Sequence, residues 1–122
     1  MPKFLKLVIA LVASLLALGS LTACAPAEKV DPASFTAIID VRTPAEFAEG
    51  HLAGAVNIDV QDPSFLDQIS QLDPAGNYFV YCRSGNRSGQ AIQKMQQLGF
   101  ESLINGGSVS SASGMTGLEV VQ

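Results

Sequence analysis

Hydrophobic and polar positions divide the chain into an apolar leader and a longer part where short apolar runs alternate with amphipathic ones. Leu7 to Leu18 is an uncharged, largely apolar run of 12 residues (LVIALVASLLAL). A membrane-spanning helix needs about 20 such residues, so this run has the length of the apolar core of a secretory signal. Farther on, Ala37-Ile38-Ile39-Asp40-Val41-Arg42 is nearly continuous in apolar side chains, as expected of a parallel strand covered on both faces. Thr43, Pro44 and Glu46 then predict a helix start. Thr43 suits the N-cap, Pro44 the first helical position, and Glu46 completes a capping box. The helix is predicted over Pro44 to Glu49, with Phe47 facing the core and Gly50 ending it. His51-Leu52-Ala53-Gly54 reads as a connector and Ala55-Val56-Asn57-Ile58 as a strand.

Asp62-Pro63-Ser64 opens a second helix with Phe65, Leu66, Ile69 and Leu72 as apolar positions, and the turn-rich Asp73-Pro74-Ala75-Gly76-Asn77 ends it. Tyr78 to Tyr81 is a β-branched and aromatic run, which reads as a buried central strand. A third helix is predicted over Gln90 to Leu98. Ala91, Ile92, Met95 and Leu98 line one face; Gln90, Gln93, Lys94, Gln96 and Gln97 line the other, a solvated surface; Gly99 stands at the C′ position. Ser102 to Asn105 is a last strand, Gly106-Gly107 a tight turn, and Val109, Ala112 and Met115 mark a last helix within Ser108 to Thr116. Strands alternating with helices predict an α/β domain with a parallel sheet.

A length of 122 residues suits one small domain. Lys3 and Lys6 precede the apolar run, and Leu21-Thr22-Ala23-Cys24 follows it. These four residues resemble the lipobox of bacterial lipoproteins. The resemblance implies cleavage before Cys24, a lipid on its sulfur, and a protein anchored in the bacterial cell envelope, facing outside the cytoplasm. An ordinary cleaved signal or an uncleaved anchor is the blander reading, but simple cleavage needs only small residues where this chain has Cys24. Two or more acyl chains would make the anchor stable. The expected organisation is a signal over 1–23, a tether over 24–33 containing Ala25, Pro26, Ala27 and Pro32, and a domain over 34–122.

From Cys24 onward five basic residues face eleven acidic ones, a net charge of −6. An acidic domain without a basic cluster is a poor nucleic-acid binder, so no nucleic-acid partner is expected. Arg83 and Arg87 are the local exception, both beside Cys82. If Cys24 is lipidated, Cys82 has no partner in the chain. Exported domains normally pair their cysteines, so an unpaired one invites explanation. A buried inert Cys is the common alternative. With one His and one Cys in the mature domain, neither a metal site nor dithiol exchange is expected, and no cofactor is implied.

Cys82 follows a strand and precedes the small, polar loop Arg83-Ser84-Gly85-Asn86-Arg87-Ser88 and a helix. Such a junction aims backbone N–H groups and the helix dipole inward, which cradles an anion and lowers the pKa of a thiol at its mouth. Two segments, Asp40 to Ile58 and Tyr81 to Ser88, together resemble the single-domain rhodaneses, the thiosulfate sulfurtransferase family. The resemblance runs from about Ile38 to Gly107. It implies a three-layer α/β domain with a central, mainly parallel sheet flanked by helices. It also implies a sulfurtransferase that carries a persulfide on Cys82. Thiosulfate or a similar small anion would be the donor, and a thiol, cyanide or a protein the acceptor. In that scheme Arg83, Ser84, Gly85, Asn86, Arg87 and Ser88 bind the substrate. Asp40 and Arg42 brace neighbouring loops, and His51 makes a structural hydrogen bond in preference to acting as a base. The chain departs from the family after Gly106-Gly107, where many members place a Trp and this one has none.

Other readings are a non-catalytic persulfide- or thiol-binding or redox-sensing module, and a Cys-based phosphatase or arsenate reductase. The last two use an Arg six positions after the Cys, around a ring wide enough for tetrahedral phosphate. Here Ser88 holds that position and Arg87 comes one earlier, a smaller ring that favours sulfur.

Overall fold

The computed structural model describes residues 28–122. The signal, the lipobox and Cys24 therefore lie outside the described residues.

Four short parallel strands form the central sheet: β1 (Ala37–Asp40), β3 (Val56–Asn57), β4 (Asn77–Tyr81) and β5 (Ser102–Gly107), in the order β3-β1-β4-β5. Between them lie α1 (Pro44–Glu49), α2 (Phe65–Ile69), α3 (Asn86–Gln97) and, after β5, α4 (Val109–Thr116). The sheet pairs Ile39 with Val80 and Asp40 with Tyr81, so β1 and β4 end level with each other. From β1 the chain steps outward to β3 and then returns to β4 on the other side. Loops leaving β1 and β4 diverge at that switch, which is where open α/β sheets place their sites.

Alternation along the strands builds two cores, one on each face. Ile39, Val41, Val80 and Cys82 point toward Phe65 and Ile69 of α2 and Ala91 and Met95 of α3. Ile38, Phe79 and Tyr81 point the other way, toward Leu52 and Ala112 of α4. The architecture is the predicted one, a parallel sheet covered on both faces by helices, in three layers.

Local chemistry accounts for most boundaries. Pro44–Glu49 is helical as expected, with the Thr43 hydroxyl accepting from the Glu46 N–H and the Glu46 carboxylate accepting from the Thr43 N–H. Phe65 and Ile69 of α2 are buried, whereas Leu66 is exposed. Phe47, expected in the core, is half-buried and stacks on His51, with ring centroids 3.6 Å apart.

Four expectations are corrected. His51-Leu52, read as a connector, is a strand, β2 (His51–Leu52), paired antiparallel with β6 (Val120–Val121) near the end of the chain. Two-residue strands are too short to show a period. Gly106-Gly107, read as a turn, completes β5 with a register shift opposite Val80 and Tyr81. A Cβ on Gly106 would overlap the Phe79 ring, so the strand approaches the aromatic closely only because that side chain is absent. The third helix starts at Asn86, four positions before Gln90, which brings Arg87 and Ser88 into its first turn. The tether expected over 24–33 is already docked from Lys29, before the boundary set at residue 34. Lys29 Nζ donates to Gly114 O and Val30 N to Met115 O, while Val30 packs on the α4-side core.

Candidate active site

Two strand-to-helix junctions meet at the C-terminal edge of the sheet. After β1, Asp40 and Arg42 form a buried pair. Arg42 donates from its backbone N and Nε to Asp40 Oδ1, at 2.9 and 3.0 Å, and from Nη2 to Oδ2 at 2.7 Å. The same Nη2 donates to Gly50 O at 2.6 Å. Hydrogen bonding to Asp40, against the opposing cost of burial, holds the Arg42 guanidinium charged above its ordinary range. Asn57 donates to both Asp40 O and Arg42 O, at 3.1 and 2.8 Å. Thus Asp40 and Arg42 tie the end of β1 to β3 and to the end of α1. His51 Nδ1 lies 2.8 Å from Phe47 O, a structural contact with the last turn of α1.

After β4, Cys82 is fully buried. Its N–H donates to Gly107 O at 2.9 Å, which pins the cysteine to the end of β5. The Gly85 N–H donates to the Cys82 sulfur at 2.9 Å, and Ser88 Oγ lies 3.4 Å from it. Gly85 precedes α3 at φ +93°, a left-handed conformation that folds the loop back over the sulfur. No side chain caps α3. Burial alone would raise the Cys82 pKa. Hydrogen bonding from the Ser88 hydroxyl and from the N–H groups of Ser88, Ser84 and Gly85 outweighs it, so the thiol sits below its ordinary value. A thiolate stabilised in this way has the chemistry of a nucleophile.

The remaining loop residues separate. Arg87 makes a two-pronged ion pair with Glu46 of α1, Nη1 to Oε1 at 2.7 Å and Nη2 to Oε2 at 2.9 Å. Arg87, expected to meet the donor directly, thus has its charge engaged by a carboxylate. Hydrogen bonding from Arg87 drives the Glu46 pKa down to about 2, with Thr43 adding to the effect against burial. Arg83 is exposed and takes no part in either side-chain ion pair among the described residues. It lines a cleft of about 350 Å³ with Glu49, Ser108 and Ser110. Ser84 is exposed. Asn86 turns along the helix, where its Oδ1 accepts from Gln90 Nε2 at 3.2 Å.

Two residues not singled out for the site from the sequence belong to it. Glu46 was expected only to cap α1, and it also holds Arg87. Asn105, near the end of β5, contacts Ser88, Gly85 and Gly107 at once. The one sequence signal for Asn105 was its polarity at the end of a strand beside the Cys82 strand.

Comparison with known proteins agrees with this geometry. The rhodanese-like domain family matches residues 25–111. Thiosulfate sulfurtransferase 16, chloroplastic, of Arabidopsis thaliana is 38% identical over 72 residues, which cover 51% of this chain and 60% of that protein. Thiosulfate sulfurtransferase PspE of Escherichia coli is 32% identical over 69 residues, 57% of this chain and 66% of that one. The chain therefore spans just under two thirds of the length of these two relatives. Among solved structures, a rhodanese with anions from E. coli superimposes with a TM-score of 0.58 at 26% identity, over 70% of this chain and 96% of the other. With the family match covering most of the chain and the sheet, the Cys82 loop and the flanking helices in place, the protein belongs to the rhodanese-like domain family.

Proposed function

We propose that the protein is a sulfurtransferase that moves sulfane sulfur from thiosulfate, or a similar small anion, to a thiophilic acceptor through a persulfide on Cys82. One observation carries this reading: a buried sulfur accepts the Gly85 N–H at 2.9 Å, at the start of an uncapped helix, with its pKa lowered. The Cys82 thiolate attacks the outer sulfur of thiosulfate. A new S–S bond forms to Cys82, the S–S bond of the donor breaks, and sulfite leaves with that electron pair. The outer sulfur of the persulfide, its charge held by loop N–H groups, is then attacked by the acceptor. Cyanide leaves as thiocyanate, a thiol as its own persulfide, and the Cys82 thiolate is regenerated. Two half-reactions at one nucleophile give ping-pong kinetics.

Within the Cys82 loop as described, Arg83 is the cation outside an ion pair and attracts the donor, and Arg87, held by Glu46, fixes the loop. Thiosulfate should add the mass of one sulfur atom to Cys82, and thiocyanate should form once cyanide is supplied. Cys82→Ser should abolish both. Arg83→Ala should raise KM for thiosulfate more than it lowers kcat. Intact protein with no added sulfur after thiosulfate treatment defeats the reading. We also propose that a lipid on Cys24 anchors the domain outside the cytoplasm, a reading supported by the lipobox residues. A fatty-acid label absent from the Cys24 peptide would refute it.

A further inference from the structure

We propose that Asn105 is a positioning residue that sets, through the direction of the Ser88 hydroxyl, how much of Cys82 stands as reactive thiolate. The amide orientation of Asn105 is fixed on both sides by groups that cannot exchange roles. Its Oδ1 accepts from the Gly107 N–H at 2.9 Å, and its Nδ2 donates to Gly85 O at 3.2 Å. A backbone N–H only donates and a backbone carbonyl only accepts, so the amide is not free to flip.

Asn105 Oδ1 is also 2.7 Å from Ser88 Oγ. Because Oδ1 is an acceptor, the single Ser88 hydroxyl proton points at Asn105. Lone pairs of Oγ then face Cys82 Sγ at 3.4 Å, the arrangement that accepts an S–H proton. In this orientation the hydroxyl gives the sulfur no proton, so the part of the lowered Cys82 pKa that the Ser88 hydroxyl supplies is realised only when it turns toward the sulfur. When the thiol proton leaves to water, the Ser88 proton must turn from Asn105 Oδ1 to the sulfur, and Asn105 gives up a short hydrogen bond. Asn105 competes with the thiolate for that proton. The other favourable contacts, the N–H groups of Gly85, Ser84 and Ser88, do not change direction with the charge of the sulfur.

The charged groups around Cys82 do not duplicate this effect. On α3, Arg87 faces it but is paired with Glu46 of α1, and Asp59 stands near Arg87. On the loop, Arg83 is exposed. From β1, Asp40 and Arg42 neutralise each other. Strand β5 and helix α4 bear no ionisable side chain. Asn105 thus acts by hydrogen-bond direction, through Ser88.

The titration of Cys82 does not depend on the proposed reaction, whereas the consequence for sulfur transfer rests on it. The rate of iodoacetamide alkylation at Cys82, read by peptide mass spectrometry across pH in the full chain, gives the thiolate fraction. Asn105→Ala should free the Ser88 proton for the sulfur and raise the thiolate fraction at neutral pH several-fold. Asn105→Asp keeps the acceptor and adds negative charge, so it should lower that fraction. In a Ser88→Ala background, Asn105→Ala should leave the profile unmoved. A residue that merely held the loop would shift both Asn105 variants in the same direction. That result, an unmoved profile in Asn105→Ala, or an equal shift without Ser88, overturns the proposal. Asn105 is exposed, and a thermal melt confirms that each variant is folded. If the titration behaves as expected but thiosulfate adds no sulfur to Cys82, the reaction is wrong and the Asn105 role stands.

Discussion

Two adjacent parallel strands, β1 and β4, each run into a short loop and a helix, and the two junctions treat the open helix N-terminus differently. At β1–α1 the chain supplies its own oxygens. Thr43 and Glu46 close a capping box, Pro44 removes a donor, and Asp40 is matched by Arg42. At β4–α3 no side chain caps the helix, no acidic residue stands in the first turn, and left-handed Gly85 takes the N-cap position. There the N–H groups turn toward the Cys82 sulfur. One junction has its donors satisfied and serves stability. The other turns its donors on a sulfur. Glu46 joins them, since it caps the first helix and grips Arg87 of the second.

Breaking the closed junction should cost the most stability. Asp40→Asn removes one partner of a buried pair and leaves the Arg42 guanidinium uncompensated. Such losses run about 3–5 kcal/mol. Denaturant unfolding should show a much lower midpoint at an unchanged slope. A loss below about 1 kcal/mol would mean that water takes over from Asp40 and that this junction is less closed than its geometry suggests.

The open junction should respond to a smaller change with a larger loss of chemistry. Gly85→Ala forces a Cβ into a left-handed residue, at about 1–2 kcal/mol, and places that Cβ 3.4 Å from Gly107 Cα. The N–H that reaches the sulfur belongs to this residue. Alkylation of Cys82 at neutral pH and sulfur loading from thiosulfate should therefore fall much further than the melting temperature does. Equal, mild effects on both would show that the loop tolerates the shift without losing its grip on the sulfur.

The two junctions were not equally legible. The capping box, Pro44 and the apolar run of β1 are signals carried by neighbouring residues, so the closed junction could be read from the sequence down to its helix boundaries. The open junction was visible as a lone Cys before a polar loop, but its wiring was not. Asn105, Glu46 and Gly107 reach Cys82 or its loop from distant parts of the sequence. The first turn of α3 was read as loop because Asn86 and Ser88 favour turns and caps and the apolar period begins only at Ala91. Pairing of β2 with β6 joins residues about 70 apart, and no local period announces it.

The link between the junctions should be tested by pH, with the smallest effect of the three. Hydrogen bonding from Arg87 pulls the folded Glu46 pKa to about 2, from an ordinary value of 4.5. A folded pKa below the unfolded one means that the stabilisation is complete above about 4.5 and is lost as the pH falls toward about 2. The Glu46 and Arg87 side chains are each about one fifth exposed, so solvent screens the pair and its worth is about 1 kcal/mol. Glu46→Gln keeps the shape of the cap and removes the charge. At neutral pH it should cost about that amount, and its stability should fall less steeply than that of the natural protein between pH 4.5 and 2. Arg87 is then released beside Cys82, which raises the positive potential at the sulfur and should make the thiol alkylate faster at a given pH. If instead the variant has the same acid slope and the same alkylation profile, Glu46 serves only the closed junction, and the open one sets its own charge.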